Sequence, residues 1–104
     1  MKALPLVENL NPCNAADAKH VRLKFPGPFP DRTLPVIRGM RHYTQCWTWN
    51  GDVDSPTLKP SVRTQADYGK GLVVCHSFVN DGLVQFLADT THQYSGQTIA
   101  LLDV

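Results

Sequence analysis

The chain has 104 residues, which allows one domain (1–104) with a true core and leaves no room for a second of ordinary size. Ten Lys and Arg against nine Asp and Glu give a formal charge of +1, so there is no global field to gather nucleic acid or an anionic membrane, and neither partner is expected. Eight prolines, seven glycines and only 18% charged residues describe many short segments joined by turns, which favours a β-rich chain over a helical one.

Three cysteines, Cys13, Cys46 and Cys75, are too few for a disulfide scaffold, and no apolar signal segment opens the chain. The expected setting is reducing and cytoplasmic. No apolar run reaches the roughly 20 residues needed to cross a bilayer as a helix.

In chain order, Met1 to Ala18 alternates weakly and ends in NPCNAADA, rich in turn and cap formers, with room for a short helix over Asn14 to Lys19. His20 to Phe25 sets Val21, Leu23 and Phe25 against Arg22 and Lys24, the pattern of a half-buried strand. Pro26, Pro28 and Pro30 then stop it. Leu34 to Ile37 reads as a short edge strand ending near Gly39. Met40 to Asn50 reads as a strand with Trp47 and Trp49 on one face, closed by the tight-turn pair Asn50-Gly51. Thr57 to Thr64 reads as an interrupted strand that Pro56 and Pro60 confine to an edge or an irregular wall, and Gln65 to Gly71 as a polar connection.

The clearest signal is Leu72 to His92. Residues 72–88 predict a β-hairpin turning at Asn80-Asp81-Gly82, with Val74, His76 and Phe78 on one face and Val73, Cys75, Ser77 and Val79 on the other. A three-residue loop would set His76 opposite Phe86. A two-residue Asp81-Gly82 turn would set it opposite Leu87. Thr98 to Leu102 forms the expected last strand. The whole predicts a mainly β domain, a small antiparallel sandwich or rolled sheet of about six strands with at most one short helix.

Reactive side chains collect around the hairpin. Cys75, His76, Asp89 and His92 suit Zn²⁺, which takes about four ligands of these kinds. Neighbouring strand residues point apart, so Cys75 and His76 cannot share an ion without a bulge; the favoured set is His76 and His92, then Asp89, with a cysteine or water fourth. The plain alternative makes His76 a hydrogen-bonded residue, Cys75 a small buried hydrophobe and His92 a surface or cap residue. Cys75, His92 and Asp89 also have the chemistry of a nucleophile, base and orienter, although a buried thiol lacks the electropositive setting that activates it. Trp47 and Trp49 offer a stacking platform for a base, with Arg41, His42 or Arg63 for phosphate, against the plainer reading that they build the core.

The stretches Cys46 to Ser61, Cys75 to His92 and Ser95 to Asp103 resemble a family of small, uncharacterised phage and prophage proteins, some mislabelled "ammonia monooxygenase". The matching residues are Trp47, Trp49, Asn50 and Gly51; Pro56, Thr57, Pro60 and Ser61; Cys75, His76 and Phe78; and Asp89, Thr91, His92, Gly96 and Gln97. Thr90 stands where many members have Cys, and Ser95 where Ala is usual. The oxygenase label names a membrane complex and is set aside. The resemblance implies a phage context and a shared site, with Asn50 and Gln97 joining the tryptophans as ligand-binding candidates. The expected function is a phage-encoded accessory protein that binds a host protein or small ligand, such as a host-defence inhibitor. The alternative is a metal-dependent hydrolase or nucleotide-processing enzyme using His76, His92 and Asp89.

Overall fold

The computed structural model describes residues 1–37, 46–67, 71–89 and 91–104. Eight strands follow one another in both sequence and space: β1 (Ala3–Leu6), β2 (His20–Leu23), β3 (Arg32–Ile37), β4 (Trp47–Trp49), β5 (Leu58–Asp67), β6 (Leu72–Asn80), β7 (Leu83–Phe86) and β8 (Thr98–Ala100). The sheet curls into a half-barrel, so the rolled-sheet expectation holds, with more strands than composition suggested. The segment after β8 returns to the start of the chain: Leu102 bridges Lys24, and the Val104 amide donates to the Met1 carbonyl. Between β1 and β2 the expected helix is a single 3-10 turn at Ala15–Asp17.

Alternation explains the layers. On β6, Cys75, Ser77 and Val79 are buried while Phe78 is exposed, and on β7 Val84 and Phe86 are buried while Leu83 and Gln85 are exposed. Val21 and Leu23 of β2, Leu34 and Val36 of β3, and Trp49 of β4 enclose the same core. The intervening positions face the other, wet side, where polar residues such as Arg63, His76 and Gln85 stand among the exposed Leu72, Phe78 and Leu83.

The hairpin takes the two-residue turn. Asn80 pairs with Leu83 and Val79 with Val84. Asp81 and Gly82 both have positive φ, 53° and 78°, as the turn matching strand twist requires. Gly82 carries this without steric cost, and its amide is held by the Pro56 carbonyl.

Three expectations are corrected. β3 is an interior strand, pairing with β2 over Arg32–Pro35 and with β4 at Val36 and Ile37. The Val36 amide reaches the Lys19 carbonyl of the β2 side, so the missing donor of Pro35 faces the other side, where β4 pairing begins only at the next residue. The β3–β4 pair is parallel, so the sheet is mixed; a parallel pair needs a crossover instead of a tight turn, and residues 38–45 of that connection lie outside the described residues. β5 is also interior, and it runs to Asp67 into the stretch expected to be a connection. Thr64 and Ala66 face the core and Arg63, Gln65 and Asp67 face solvent, an alternation that weakly apolar residues disguise. The irregular wall expected there is real: four steps of β5 from Leu58 to Val62 run opposite two of β6, from Val79 to Ser77, at a bulge that contains the cis Lys59-Pro60 bond.

Candidate functional site

The wet face of the β5–β6–β7 region carries the most reactive arrangement. His76 projects from β6 on the face opposite the core, with its side chain 46% exposed. Its carbonyl accepts from the Leu87 amide, which holds the chain beyond β7 alongside and lets the turn at Ala88-Asp89 bring the carboxylate back. Asp89 Oδ2 lies 2.8 Å from His76 Nδ1 and accepts the His76 backbone amide at 3.1 Å. A carboxylate can only accept, so Nδ1 is the donor, and in the neutral ring Nε2 is left with the lone pair. The His76 side-chain hydrogen bond is the largest of the influences that hold the Asp89 carboxyl below the usual range.

Next to this pair lies the β5 bulge. Arg63 is the register partner of His76, and Val62 that of Ser77. Ser61, one position before Val62, is half-buried and ends the bulge on the strand paired with that of His76, two residues before the His76 partner Arg63. Two side chains grip the backbone here: Trp47 Nε1 donates to the Ser61 carbonyl at 3.2 Å, and the Arg32 guanidinium donates to the Arg63 carbonyl. Burial, with the Arg63 charge second, lowers the Arg32 pKa from its ordinary value.

The remaining expected site residues are distributed differently. Cys75 is fully buried on the core face, so it and His76 point apart as alternation requires, and burial pushes its thiol up to about 11. His92 packs edge-on against Phe29 and Phe86, with ring centroids 5.3 and 5.5 Å away. Phe86 is a core residue, so His92 belongs to the core side of the sheet and His76 to the wet side. The turn at 88–89 therefore returns Asp89 to His76 but does not return His92. The His92 Nδ1 accepts from the Tyr94 amide. Among the described residues, no three His, Cys, Asp or Glu side chains gather as a metal site.

Trp49 is buried in the core, and Trp47 is half-buried against it. Asn50 organises the turn after β4: its side-chain oxygen accepts from the Asp52 and Thr57 amides, and its side-chain nitrogen donates to the Ser55 carbonyl. Gln97 is exposed and donates to the Gln93 carbonyl. Arg41, His42 and Thr90 lie outside the described residues. A surface depression lined by Val7, Glu8, Asn9, Asp17 and Lys19 shares no residue with the His76–Asp89 pair. No helix among the described residues is long and apolar enough to cross a membrane.

The sequence reading gave Ser61 no chemical role. The available signal was the spacing of Ser61, Arg63, Gln65 and Asp67 opposite Val62, Thr64 and Ala66, which sets the serine on the wet face once β5 is recognised as a strand. A family model described as "Bacterial ubiquitination-like system serine protease (BubE)" matches residues 31–87, more than half of the chain. No curated protein and no solved structure matches it.

Proposed function

The chain belongs to the BubE family, bacterial ubiquitination-like system serine proteases, and from that membership we propose that it hydrolyses the bond joining a ubiquitin-like protein to its target, with Ser61 as nucleophile, His76 as base and Asp89 as the residue that positions the base. The observation that carries this reading is the 2.8 Å contact of His76 Nδ1 with Asp89 on the exposed face, beside a serine at a strand bulge. Such a constellation is recognised by geometry and not by order along the chain.

The choice of serine follows by elimination. Ser77 is buried on the core face, and its hydroxyl is directed at the Val62 carbonyl. Ser55 lies in the turn held by Asn50 and Asp52, beside Pro56 and away from the Arg63–His76 register. Ser95 lies in the His92 to Gln97 turn, away from the Arg63–His76 register. Ser61 has both the face and the strand neighbour. In the reaction, Ser61 Oγ attacks the scissile carbonyl carbon while His76 Nε2 takes the hydroxyl proton. The same nitrogen then delivers that proton to the leaving amine as the C–N bond breaks. Water, deprotonated by His76, hydrolyses the acyl-serine ester, releasing the carboxylic acid and restoring the hydroxyl. Asp89 keeps Nδ1 protonated and stabilises the imidazolium formed in each step.

The test is treatment with a fluorophosphonate, followed by peptide mapping, alongside cleavage of a conjugate of a ubiquitin-like protein from such a system. An adduct on Ser61, absent in Ser61→Ala and strongly slowed in His76→Ala, is expected, with cleavage that survives a metal chelator. An adduct confined to another serine, no adduct, or cleavage abolished by the chelator overturns the reading.

A further inference from the structure

This inference rests on the protease reading above and concerns the charge that its first step creates. When Ser61 Oγ bonds to the scissile carbonyl carbon, the π pair moves onto oxygen, and the alkoxide so formed is stabilised by donors already in place. The side chains around His76 and Asp89 differ in how far they are already engaged. Trp47 Nε1 donates to the Ser61 carbonyl, and the half-buried Arg32 donates to the Arg63 carbonyl. Arg63 itself is exposed. The nine acidic residues of the chain all lie in described segments, and among the described residues none pairs with the Arg63 guanidinium.

The register sets this free cation beside the reacting groups. Arg63 is the β5 partner of His76. His76 turns both backbone groups toward β7, its amide to Asp89 and its carbonyl to Leu87, and the Arg63 carbonyl turns toward Arg32. Arg63 and His76 therefore form the non-hydrogen-bonded kind of antiparallel pair, whose side chains stand closer, with Cβ atoms about 4.5–5.5 Å apart. Asp89 flanks the imidazole on the β7 side and Arg63 on the β5 side, the strand that also carries Ser61. Ser61 and Arg63 stand on either side of buried Val62 and share the wet face. Arg63 thus neighbours both the nucleophile and the base. Without an anion nearby, its charge opposes the imidazolium that forms when His76 takes the serine proton. An alkoxide created in the same step offsets that repulsion.

We propose that Arg63 is a catalytic residue whose guanidinium donates to the carbonyl oxygen of the tetrahedral intermediate. In the addition step the Ser61 Oγ–C bond forms, the hydroxyl proton passes to His76 Nε2, and the negative charge comes to rest on the oxygen beside Arg63. As the carbonyl re-forms, the C–N bond breaks and the proton passes to the leaving nitrogen. Attack of water on the acyl-serine ester repeats the sequence, with Ser61 Oγ as the leaving atom. The charge exists only between the ground states, so Arg63 acts on kcat more than on KM.

The experiment compares the wild type with Arg63→Gln, which keeps a neutral donor, and Arg63→Lys, which keeps the charge without the planar fork. For cleavage of the ubiquitin-like conjugate, kcat is expected to fall about a hundred- to a thousandfold in Arg63→Gln, the loss that follows removal of one oxyanion donor, and less in Arg63→Lys. Phenylboronic acid adds to a serine hydroxyl as a tetrahedral anion and reads the same contact without turnover; its protection of Ser61 from the fluorophosphonate should weaken by a similar factor in Arg63→Gln. Binding of the intact conjugate to Ser61→Ala should be the same with and without Arg63→Gln, and Tm should hold because Arg63 is exposed. A kcat within a few-fold of the wild type in Arg63→Gln overturns the proposal. So does conjugate binding that falls as far as kcat/KM, which would make Arg63 a receptor for an anionic group of the bound substrate. Failure of the fluorophosphonate to label Ser61 in the wild type removes the protease reading and this assignment with it, whereas equal labelling and equal boronate protection in wild type and Arg63→Gln remove the assignment alone.

Discussion

Asp89 Oδ2 takes two hydrogen bonds from His76, one from ring Nδ1 at 2.8 Å and one from its backbone amide at 3.1 Å. Two anchors on one residue fix the carboxylate relative to the ring, not merely near it. Asn at this position keeps the shape but can offer Nδ1 a donor, which favours the wrong tautomer. Asp89→Asn should therefore lower kcat by about three to four orders of magnitude with little change in KM. A purely structural role for the pair would instead show a melting shift with no such split between kcat and KM.

The same pair has an acid-side signature. The Asp89 carboxyl is depressed, chiefly by the His76 side-chain hydrogen bond. A depressed carboxyl adds stability above its unfolded pKa, about 3.9, and loses that contribution as pH falls through its lower folded value. Urea melts of the wild type and Asp89→Asn should differ at pH 6 and converge as pH drops below the ordinary carboxylate range. A difference that stays constant over that interval would show that the ionised carboxylate is not what the fold recognises.

Trp47 acts on the site through the backbone. Its Nε1 reaches the Ser61 carbonyl at 3.2 Å, fixing the Ser61 peptide at the point where β5 returns to register. Trp47→Phe keeps most of the ring's packing and removes that donor. Its stability cost should be about 1 kcal/mol. The Ser61 labelling rate and kcat should fall together by about ten- to a hundredfold, as expected when a reacting group loses its alignment. Equal rates in the two proteins would make Trp47 a packing residue only.

The hairpin was legible because strong β formers alternate cleanly on both sides of Asp81-Gly82, and from it the opposite facing of Cys75 and His76 followed. Proximity of Asp89 to His76 was legible too, since the two-residue turn sets His76 against Leu87, two residues before Asp89. The fate of His92 was not. Whether a chain emerging from a strand folds over one face or the other depends on what it can bury, and the aromatic surface formed by Phe29 and Phe86 comes from segments far apart in sequence. β5 was legible only in part, because Pro56 and Pro60 suggest an edge; the sheet absorbs Pro60 at the bulge instead. The pairing of β5 with β6 joins Ser61 to the site, and sequence alternation alone gives a face but not a partner.

Separate sides for the two histidines predict separate phenotypes. The His92 Nε2 is buried without a partner among the described residues, and its ring is enclosed by Phe29, Phe86 and Tyr94. His92→Ala should cost stability, about 2 to 4 kcal/mol by analogy with other large-to-small changes in packed clusters, and leave kcat/KM of the folded fraction within a few-fold. His76→Ala should do the reverse. Loss of catalysis in both variants at unchanged stability would return the two residues to a common site.

Cys75 supplies the last prediction, because a core thiol reports on the integrity of the sheet. It is fully buried on β6 opposite His76, and burial first, then the Asp89 charge, raises its pKa from 9.0 to about 11. The folded state thus holds this proton more tightly than the unfolded state does. Its contribution to stability is complete below about pH 9 and is lost as pH rises toward 11. Lys and Tyr titrate in the same range, so the informative quantity is the difference between the wild type and Cys75→Ala. That difference should be constant from pH 7 to 8 and should shrink between pH 9 and 11, as only the wild type must ionise a thiol on unfolding. The thiol should also resist iodoacetamide in the native protein at pH 8, where half-buried Cys13 and Cys46 react first, and become modified at their rate only in denaturant. Rapid native modification of Cys75, with its fold intact, would mean that the core face of β6 opens to solvent and that the division into a dry and a wet face does not hold.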